Sequence, residues 1–233
     1  MIKRTLKTTT GKLTVSIPSN LSEVTIGQMI ALQGNTDLSD IDAISILSGI
    51  PADQLKNIQN IDDFAAFGDT VLFLSHQIKY LHNADDIPST ITFNLNGDMV
   101  TVKVARNLSV QPVGAFMAAR EIIGDEITKH IELHGQENWQ QYFNPSLTAC
   151  CQVLAHYFYC GATGKPYSEY EAEEFVSEIK KLGVMEALPI SKYFFTCYPN
   201  LSTRKTGFFQ RLHRRWKNER AYRHLKSLNT STQ

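Results

Sequence analysis

The dipeptide Asn96-Gly97 lies between two runs in which polar and apolar residues alternate, Thr90–Leu95 and Met99–Val104. Alternation with a period of two is typical of a β-strand that buries one face. Asn-Gly is favoured in the two-residue type I′ turn, because both central residues of that turn need a positive φ. The sequence therefore predicts a β-hairpin over residues 90–104, and a chain that contains it cannot be entirely helical.

A second alternating segment lies near the start of the chain. Lys12–Ile17 alternates polar and apolar residues and is followed by Pro18, which predicts a strand over residues 12–18. The preceding Ile2–Lys7 can pair with it across Thr8–Gly11. We expect the 12–18 strand and the two strands of the hairpin to form one small antiparallel sheet that is packed by helices.

Most of the remaining sequence carries helix signals, namely apolar residues at helical spacing, N-cap residues and terminating glycines. In the last of the long segments, Ser168 and Glu171 have the spacing of a capping box. In the first half of the chain, predicted helices begin at Ser22 or Thr25, at Asp37 or Ser39, near Pro51, at Asp62 or Asp63, and at Pro112. The helix that begins at Pro112 is expected to end near Ile123. In the second half, helical segments are predicted over 126–134, 146–160, 168–182 and, after Pro189, 190–198.

These segments predict an α+β fold: a small antiparallel sheet with a hairpin packed by helices, a mainly helical half and a basic helical arm. The 233 residues are 42% hydrophobic, which is enough for a folded core. We expect an α+β domain over 1–124, a helical domain over 125–203, and a basic amphipathic arm with a frayed tail over 204–233.

Charge is divided unevenly along the chain. The whole sequence is formally neutral, with 23 basic and 23 acidic residues. Residues 204–226 contain nine basic residues and one acidic residue, a formal charge of +8, which leaves −8 for residues 1–203. Such a division indicates a binding segment that faces a polyanion, an acidic protein or an anionic membrane.

The basic arm is also amphipathic, because its large apolar residues fall on one side of a helical projection and its basic residues occupy the rest. It can dock onto protein, including the acidic body of this or a neighbouring subunit, bind nucleic-acid phosphates, or lie on an anionic membrane. The negative charge of the remaining chain favours a protein partner, with nucleic acid as the second choice. The predicted partner-binding residues are Phe208, Phe209, Arg211, Leu212, Arg214, Arg215, Trp216, Arg220, Tyr222 and Arg223.

The other motifs favour structural roles. Cys150, Cys151, Cys160 and Cys197 form no CxxC pair, which indicates reduced core thiols. Gly161–Lys165 lacks the glycine spacing of a phosphate-binding loop, so we expect it to end a helix.

Histidines four residues apart, such as His130 and His134, can share a metal ion. Because no third ligand has a suitable position, we expect His130 and His134 to lie on a solvated helix face. We predict that His156 is a hydrogen-bonded histidine in the core. We identify no catalytic motif and predict a protein that is not an enzyme, with no catalytic residues, no metal and no cofactor. The sequence shows neither a secretory signal nor an apolar stretch long enough to span a bilayer, so we expect a soluble cytosolic protein.

Five stretches taken together carry a family resemblance: Thr25–Leu32, Asp42–Pro51, the Ile91–Val104 hairpin, Pro112–Ala115 and Tyr193–Phe195. In this organisation, which covers most of residues 20–200, the chain resembles tail assembly chaperones and related small tail proteins of bacteriophages. The resemblance implies a non-enzymatic protein that engages the tape-measure protein, or another tail protein, in the host cytoplasm while a phage tail is built. It does not extend to the basic arm.

Two further possibilities stay open beside this resemblance. The chain can associate with itself, and it can remain in the virion. The alternative function is a virion structural or nucleic-acid-binding protein whose basic arm contacts packaged DNA or RNA.

Overall fold

A computed structural model of the chain describes residues 1–34, 38–59, 61–78, 86–105, 111–139 and 142–197. Within these ranges the strands are β1 (Ile2–Thr8), β2 (Gly11–Ile17), β3 (Thr90–Leu95) and β4 (Asp98–Lys103). The helices are α1 (Ile26–Gln33), α2 (Asp40–Ser48), α3 (Ala52–Leu55), α4 (Ile61–Ile78), α5 (Val113–Asn138), α6 (Leu147–Thr163), α7 (Glu169–Glu174), α8 (Val176–Ile179) and α9 (Val184–Cys197), and a 3-10 turn spans Leu21–Glu23. The predicted α+β class, with a mainly helical second half, is confirmed.

The predicted hairpin between β3 and β4 is confirmed. Asn96 and Gly97 have φ values of 54° and 97°, in the positive region that a type I′ turn requires. Phe93 lies opposite Val100 in the register of the two strands. Phe93 is buried while Thr92 is exposed, so the alternation in the sequence does separate a core face from a solvent face.

The first hairpin is also present, but the prediction of a single sheet is wrong. Strand β1 pairs with β2, from Ile2 opposite Ile17 to Thr8 opposite Gly11. In the described ranges this pair and the β3–β4 pair are separate two-stranded sheets. Strand β2 contacts α2, and β4 contacts α6. Because a two-stranded sheet can be stabilised by packing against a helix, neither hairpin needs a strand from the other.

Local capping signals fix several helix starts. Thr25 and Ser39, rather than Ser22 and Asp37, are the N-caps of α1 and α2, and each forms a capping box. Ser146 caps α6 by accepting a hydrogen bond from the Ala149 N–H. A polar side chain that accepts from a first-turn N–H satisfies a donor with no partner inside the helix, so these starts can be read from sequence.

Two predicted helix breaks are wrong. Helix α5 continues through the expected break after Ile123 as far as a kink at Gly135, where φ is 78° and ψ is 161° and the predicted segment 126–134 ends, and α9 contains Pro189 in its interior. Leu188 and Ile190, on either side of the proline, are buried, and their burial offsets the hydrogen bond that Pro189 cannot donate. The predicted helix over 168–182 is instead divided into α7 and α8 at Phe175.

Residues 1–195 form one compact unit, so the predicted boundary at residue 124 does not separate two units. Helix α5 runs across that boundary. The Ile26 N–H donates to the Leu182 carbonyl at 2.9 Å, and the Val184 N–H donates to the Val24 carbonyl at 2.8 Å. These bonds join the first helix of the chain to the segment before α9. A second unit covers residues 196–233, and the arm over 204–233 lies outside the described residues.

Helix α6 runs through the core of the first unit. It is buried along most of its length. The ring of Phe158 meets Phe93 of β3 edge-on, with the ring centroids 5.5 Å apart. The Tyr157 hydroxyl donates to the Ala105 carbonyl and accepts from the Ala105 N–H, each at 2.7 Å. Together these contacts fasten the β3–β4 hairpin to α6.

Candidate functional site

The predicted partner-binding residues of the arm, from Phe208 to Arg223, all lie outside the described residues. Their assignment therefore stays a prediction from sequence. The described residues contain other candidates, namely a histidine pair on α5, buried ionisable groups, and an exposed surface where α5 meets the start of α7.

His130 and His134 lie on α5 with their ring centroids 6.1 Å apart. The Nδ1 of His130 donates to the Glu126 carbonyl at 2.8 Å, and its Nε2 accepts from the Asn144 N–H at 3.3 Å. Both ring nitrogens of His130 therefore already have partners. The described ranges contain no group of three or more His, Cys, Asp or Glu residues that could hold a metal ion.

The expectation of a solvated helix face holds for one of the two histidines. His134 is exposed and stacks on Tyr142, with the ring centroids 4.9 Å apart. His130 is half-buried, so the expectation is wrong for it. Its hydrogen bond from Asn144 joins α5 to the loop before α6, which is a structural role.

Glu126 is a buried carboxylate that the sequence analysis did not single out. It accepts from the Ser146 N–H at 2.9 Å and from Lys129 Nζ at 3.0 Å. Burial by itself would raise the pKa of this carboxyl, but the hydrogen bonds from Ser146 and Lys129 outweigh burial and hold the pKa below its usual value. The carboxylate ties α5 to the start of α6. The sequence did contain one indication that Glu126 is buried, namely its position between Ile123 and Ile127 on the apolar face of a helix.

Glu126→Gln is expected to reduce the free energy of unfolding by about 1 kcal/mol at neutral pH, because it replaces charge-assisted hydrogen bonds with neutral ones. The pKa of Glu126 is lower in the folded protein than in the unfolded chain. The carboxylate therefore stabilises the fold at pH values above the unfolded-state pKa, and this stabilisation is lost as the pH falls toward the folded-state pKa. The difference from wild type should therefore shrink toward about pH 4. Urea unfolding at both pH values measures it, with exposed Glu132→Gln as the control. A difference that is equal at both pH values would contradict the prediction.

The cysteines of α6 are structural. Cys150 and Cys151 are buried and free, and burial raises the pKa of each thiol to about 12. Burial also raises the pKa of the half-buried Cys160. Because the thiolate is the form that attacks substrates and binds metals, these groups are poor nucleophiles at neutral pH. This agrees with the prediction of core thiols, while the side chain of Cys197 lies outside the described residues.

The Gly161–Lys165 segment ends α6, as predicted. Gly164 is the C-cap with φ 68°, and its N–H donates to the Cys160 carbonyl at 2.9 Å. Gly161 lies inside the helix, where an added Cβ would be 2.9 Å from Cγ1 of Val102. The glycines therefore end the helix and allow β4 to approach it.

The predicted capping box at the start of α7 is only half formed. Ser168 Oγ accepts from the Glu171 N–H at 3.4 Å. The Glu171 carboxylate, however, accepts from the Tyr159 hydroxyl and lies 3.0 Å from Lys165 Nζ. An ammonium and a phenol are stronger partners for a carboxylate than one backbone N–H, so the side chain turns toward them.

His156 is a hydrogen-bonded core histidine, as predicted. It is buried, and its Nδ1 lies 2.9 Å from the Tyr167 hydroxyl. Burial lowers the pKa of His156, against the opposing effect of Glu169 and Glu173. The Tyr167 ring in turn lies over Gly114, where an added Cβ would be only 2.6 Å from Cε1 of the ring. The first turn of α5 and the segment that leads into α7 are therefore in direct contact.

Several exposed residues lie on the two helices that this contact brings together. Val113 and Met117 of α5 are 78% and 53% exposed, and Tyr170 of α7 is 69% exposed. Together with the exposed carboxylates of Glu121, Glu169 and Glu173, we refer to these six residues as the α5–α7 surface. Its carboxylates take no part in the ion pairs of the described residues. Sequence analysis missed this surface because its members come from two helices that only packing brings together.

Comparison with known proteins gave no match to a family model, to a curated protein or to a solved structure. None of the helices in the described ranges has both the length and the apolar character needed to cross a membrane. The charge division of the sequence and the geometry of the described residues are therefore the basis for a functional proposal.

Proposed function

We propose that this chain is a non-enzymatic protein-binding factor in bacteriophage tail assembly, a tail assembly chaperone that engages the tape-measure protein in the host cytoplasm. The observation that carries the proposal is the division of charge, with +8 in residues 204–226 and −8 in residues 1–203. A chain divided in this way is suited to binding a partner through its basic arm. The resemblance of residues 20–200 to tail assembly chaperones is the reason for proposing phage tail assembly as the process in which the chain acts.

The arm binds its partner mainly through its aromatic residues. Burying Trp216 and Phe209 removes large apolar surfaces from water at roughly 25 cal/mol per Å². Exposed ion pairs contribute about 0–1 kcal/mol each, so the arginines mainly steer the encounter and set the register. The affinity of a protein complex should therefore depend more on the tryptophan than on any single arginine.

Trp216→Ala is expected to weaken binding of the tape-measure protein by about tenfold or more, and Arg214→Ala by less than about fivefold. The gap should persist when the salt concentration is raised, because apolar burial is not screened. Isothermal titration of both variants at two salt concentrations measures it. A larger loss for Arg214→Ala, with a steep salt dependence, would contradict docking onto protein.

A pull-down with the tape-measure protein of the same phage tests the proposal directly. The full chain should retain the partner, and a chain that ends at residue 203 should retain much less. Circular dichroism controls for folding of the shorter chain, which keeps the whole compact unit of residues 1–195. Equal capture by both chains would remove the arm from the mechanism, and no capture by either would remove the tape-measure protein as the partner. A tape-measure gene directly downstream of this gene would be further support.

The alternative is a virion structural or nucleic-acid-binding protein, and the nine basic residues of the arm favour it. Phosphate contacts release counterions, so the affinity would fall linearly with salt on a log–log scale. Each arginine removed would lower the affinity for DNA or RNA and reduce the salt slope by about one unit. Absence of binding at low salt excludes this alternative.

A further inference from the structure

We propose that the α5–α7 surface is a second docking site, which binds a basic amphipathic α-helix of another protein. The inference goes beyond the proposed function, because it concerns residues of the described fold and does not depend on the arm or on the identity of its partner.

The surface is built on a fixed support. The Tyr167 hydroxyl forms a 2.9 Å hydrogen bond with buried His156, and its ring lies against Gly114, the second residue of α5. Val113 is the first residue of α5 and directly precedes Gly114, and Tyr170 is the second residue of α7, three residues after Tyr167; both side chains are exposed. A preorganised surface loses less conformational entropy on binding than a mobile one.

The apolar part of the surface has helical spacing. Val113 and Met117 are four residues apart, so they are neighbours on the same face of α5 and form a short ridge. Such a ridge fits the groove between side-chain rows of a second helix. Glu121, four residues further along, continues the same line as an exposed carboxylate. This face of α5 therefore changes from apolar to acidic along the helix axis.

The charge of the surface defines the chemistry of its occupant. Glu169 and Glu173 project from α7 without a basic partner in the ion pairs of the described residues, whereas the neighbouring Lys165 is paired with Glu171. Exposed carboxylates around an apolar centre attract lysine and arginine, and they repel nucleic-acid phosphates and anionic lipids. A helix with an apolar stripe flanked by basic residues matches both parts of the surface.

Binding of a labelled peptide to the full chain tests the proposal. The probe is a synthetic peptide of about 20 residues with leucines on one helical face and lysines on the other, followed by fluorescence anisotropy. We expect saturable binding that Met117→Ser weakens by about fivefold or more and that the double change Glu169→Gln, Glu173→Gln weakens by about threefold or more at low salt. Leu133→Ser is the matched control, because Leu133 is also an exposed apolar residue of α5 but does not belong to the α5–α7 surface. It should change the affinity by less than about twofold.

Several outcomes would overturn the proposal: no saturable binding, equal binding of a scrambled peptide that lacks the apolar face, or equal losses for Met117→Ser and Leu133→Ser. Sedimentation velocity of the full chain tests a different occupant. Self-association that Met117→Ser abolishes would assign the surface to a second copy of this chain and would exclude a separate partner. Because neither measurement uses the tape-measure protein, failure here leaves the proposed function to its own test.

Discussion

Replacing Phe158 with alanine is expected to lower the free energy of unfolding by about 3–5 kcal/mol. Phe158 is 0% exposed and lies within α6. Its ring contacts Phe93 at 5.5 Å and Tyr157 at 4.6 Å between centroids, both edge-on. The substitution removes apolar burial and leaves a cavity between α6 and the β3–β4 hairpin, which the surrounding rings cannot fill without leaving their own contacts.

The matched control is Phe73→Ala, because Phe73 is also a helical phenylalanine but is 53% exposed. It should change the free energy of unfolding by less than about 1 kcal/mol. Urea unfolding followed by far-ultraviolet circular dichroism compares the two variants. Similar losses for both would show that α6 is not packed as the structure describes. If Phe158→Ala does not fold at all, Phe158→Leu provides a smaller change with the same expected sign.

Gly27→Ala is expected to lower the free energy of unfolding by about 2 kcal/mol. The added Cβ would lie 2.8 Å from the Lys180 carbonyl oxygen and 3.0 Å from its Cβ. The same carbonyl accepts a hydrogen bond from the Gly27 N–H at 2.9 Å. Because two backbones meet at this point, neither can move aside without disturbing the hydrogen bonds that join α1 to the segment before α9.

Gly124→Ala is the control for helix propensity. Gly124 also lies inside a helix, but an added Cβ there would meet no atom within 4 Å. Alanine should therefore raise the free energy of unfolding by about 0.5–1 kcal/mol, through its better helix propensity. Opposite signs for the two glycine variants in the same urea assay support the close approach at Gly27. Stabilisation by both would contradict it.

The candidate sites differ in how far sequence could identify them. The arm was found from sequence because charge and amphipathic spacing are properties of one continuous segment, although its residues lie outside the described ranges. The α5–α7 surface could not be found in this way, since Met117 and Tyr170 are far apart in the chain. Glu126 shows the same limit: its neighbours in sequence gave no indication that Ser146, twenty residues later, would donate to its carboxylate.

The sequence by itself determined the local features of this protein. Asn96-Gly97 specified its turn through positive φ, Thr25, Ser39 and Ser146 specified helix starts through side-chain caps, and Gly164 specified a helix end. Each of these signals acts within about four residues, where backbone geometry and one hydrogen bond decide the outcome.

Only the tertiary structure decided how these pieces combine. The two hairpins form separate sheets, and α5 continues past Gly124. Pro189 lies inside α9, and the Glu171 side chain pairs with Lys165 instead of completing its capping box. For α5 and α9, burial against other elements outweighed a local helix-breaking preference of about 1–3 kcal/mol, whereas each hairpin packs on a helix of its own and Glu171 turned to partners six and twelve residues earlier in the chain. Burial of apolar surface against another element supplies free energy of that size, and a linear sequence does not show which element will provide it.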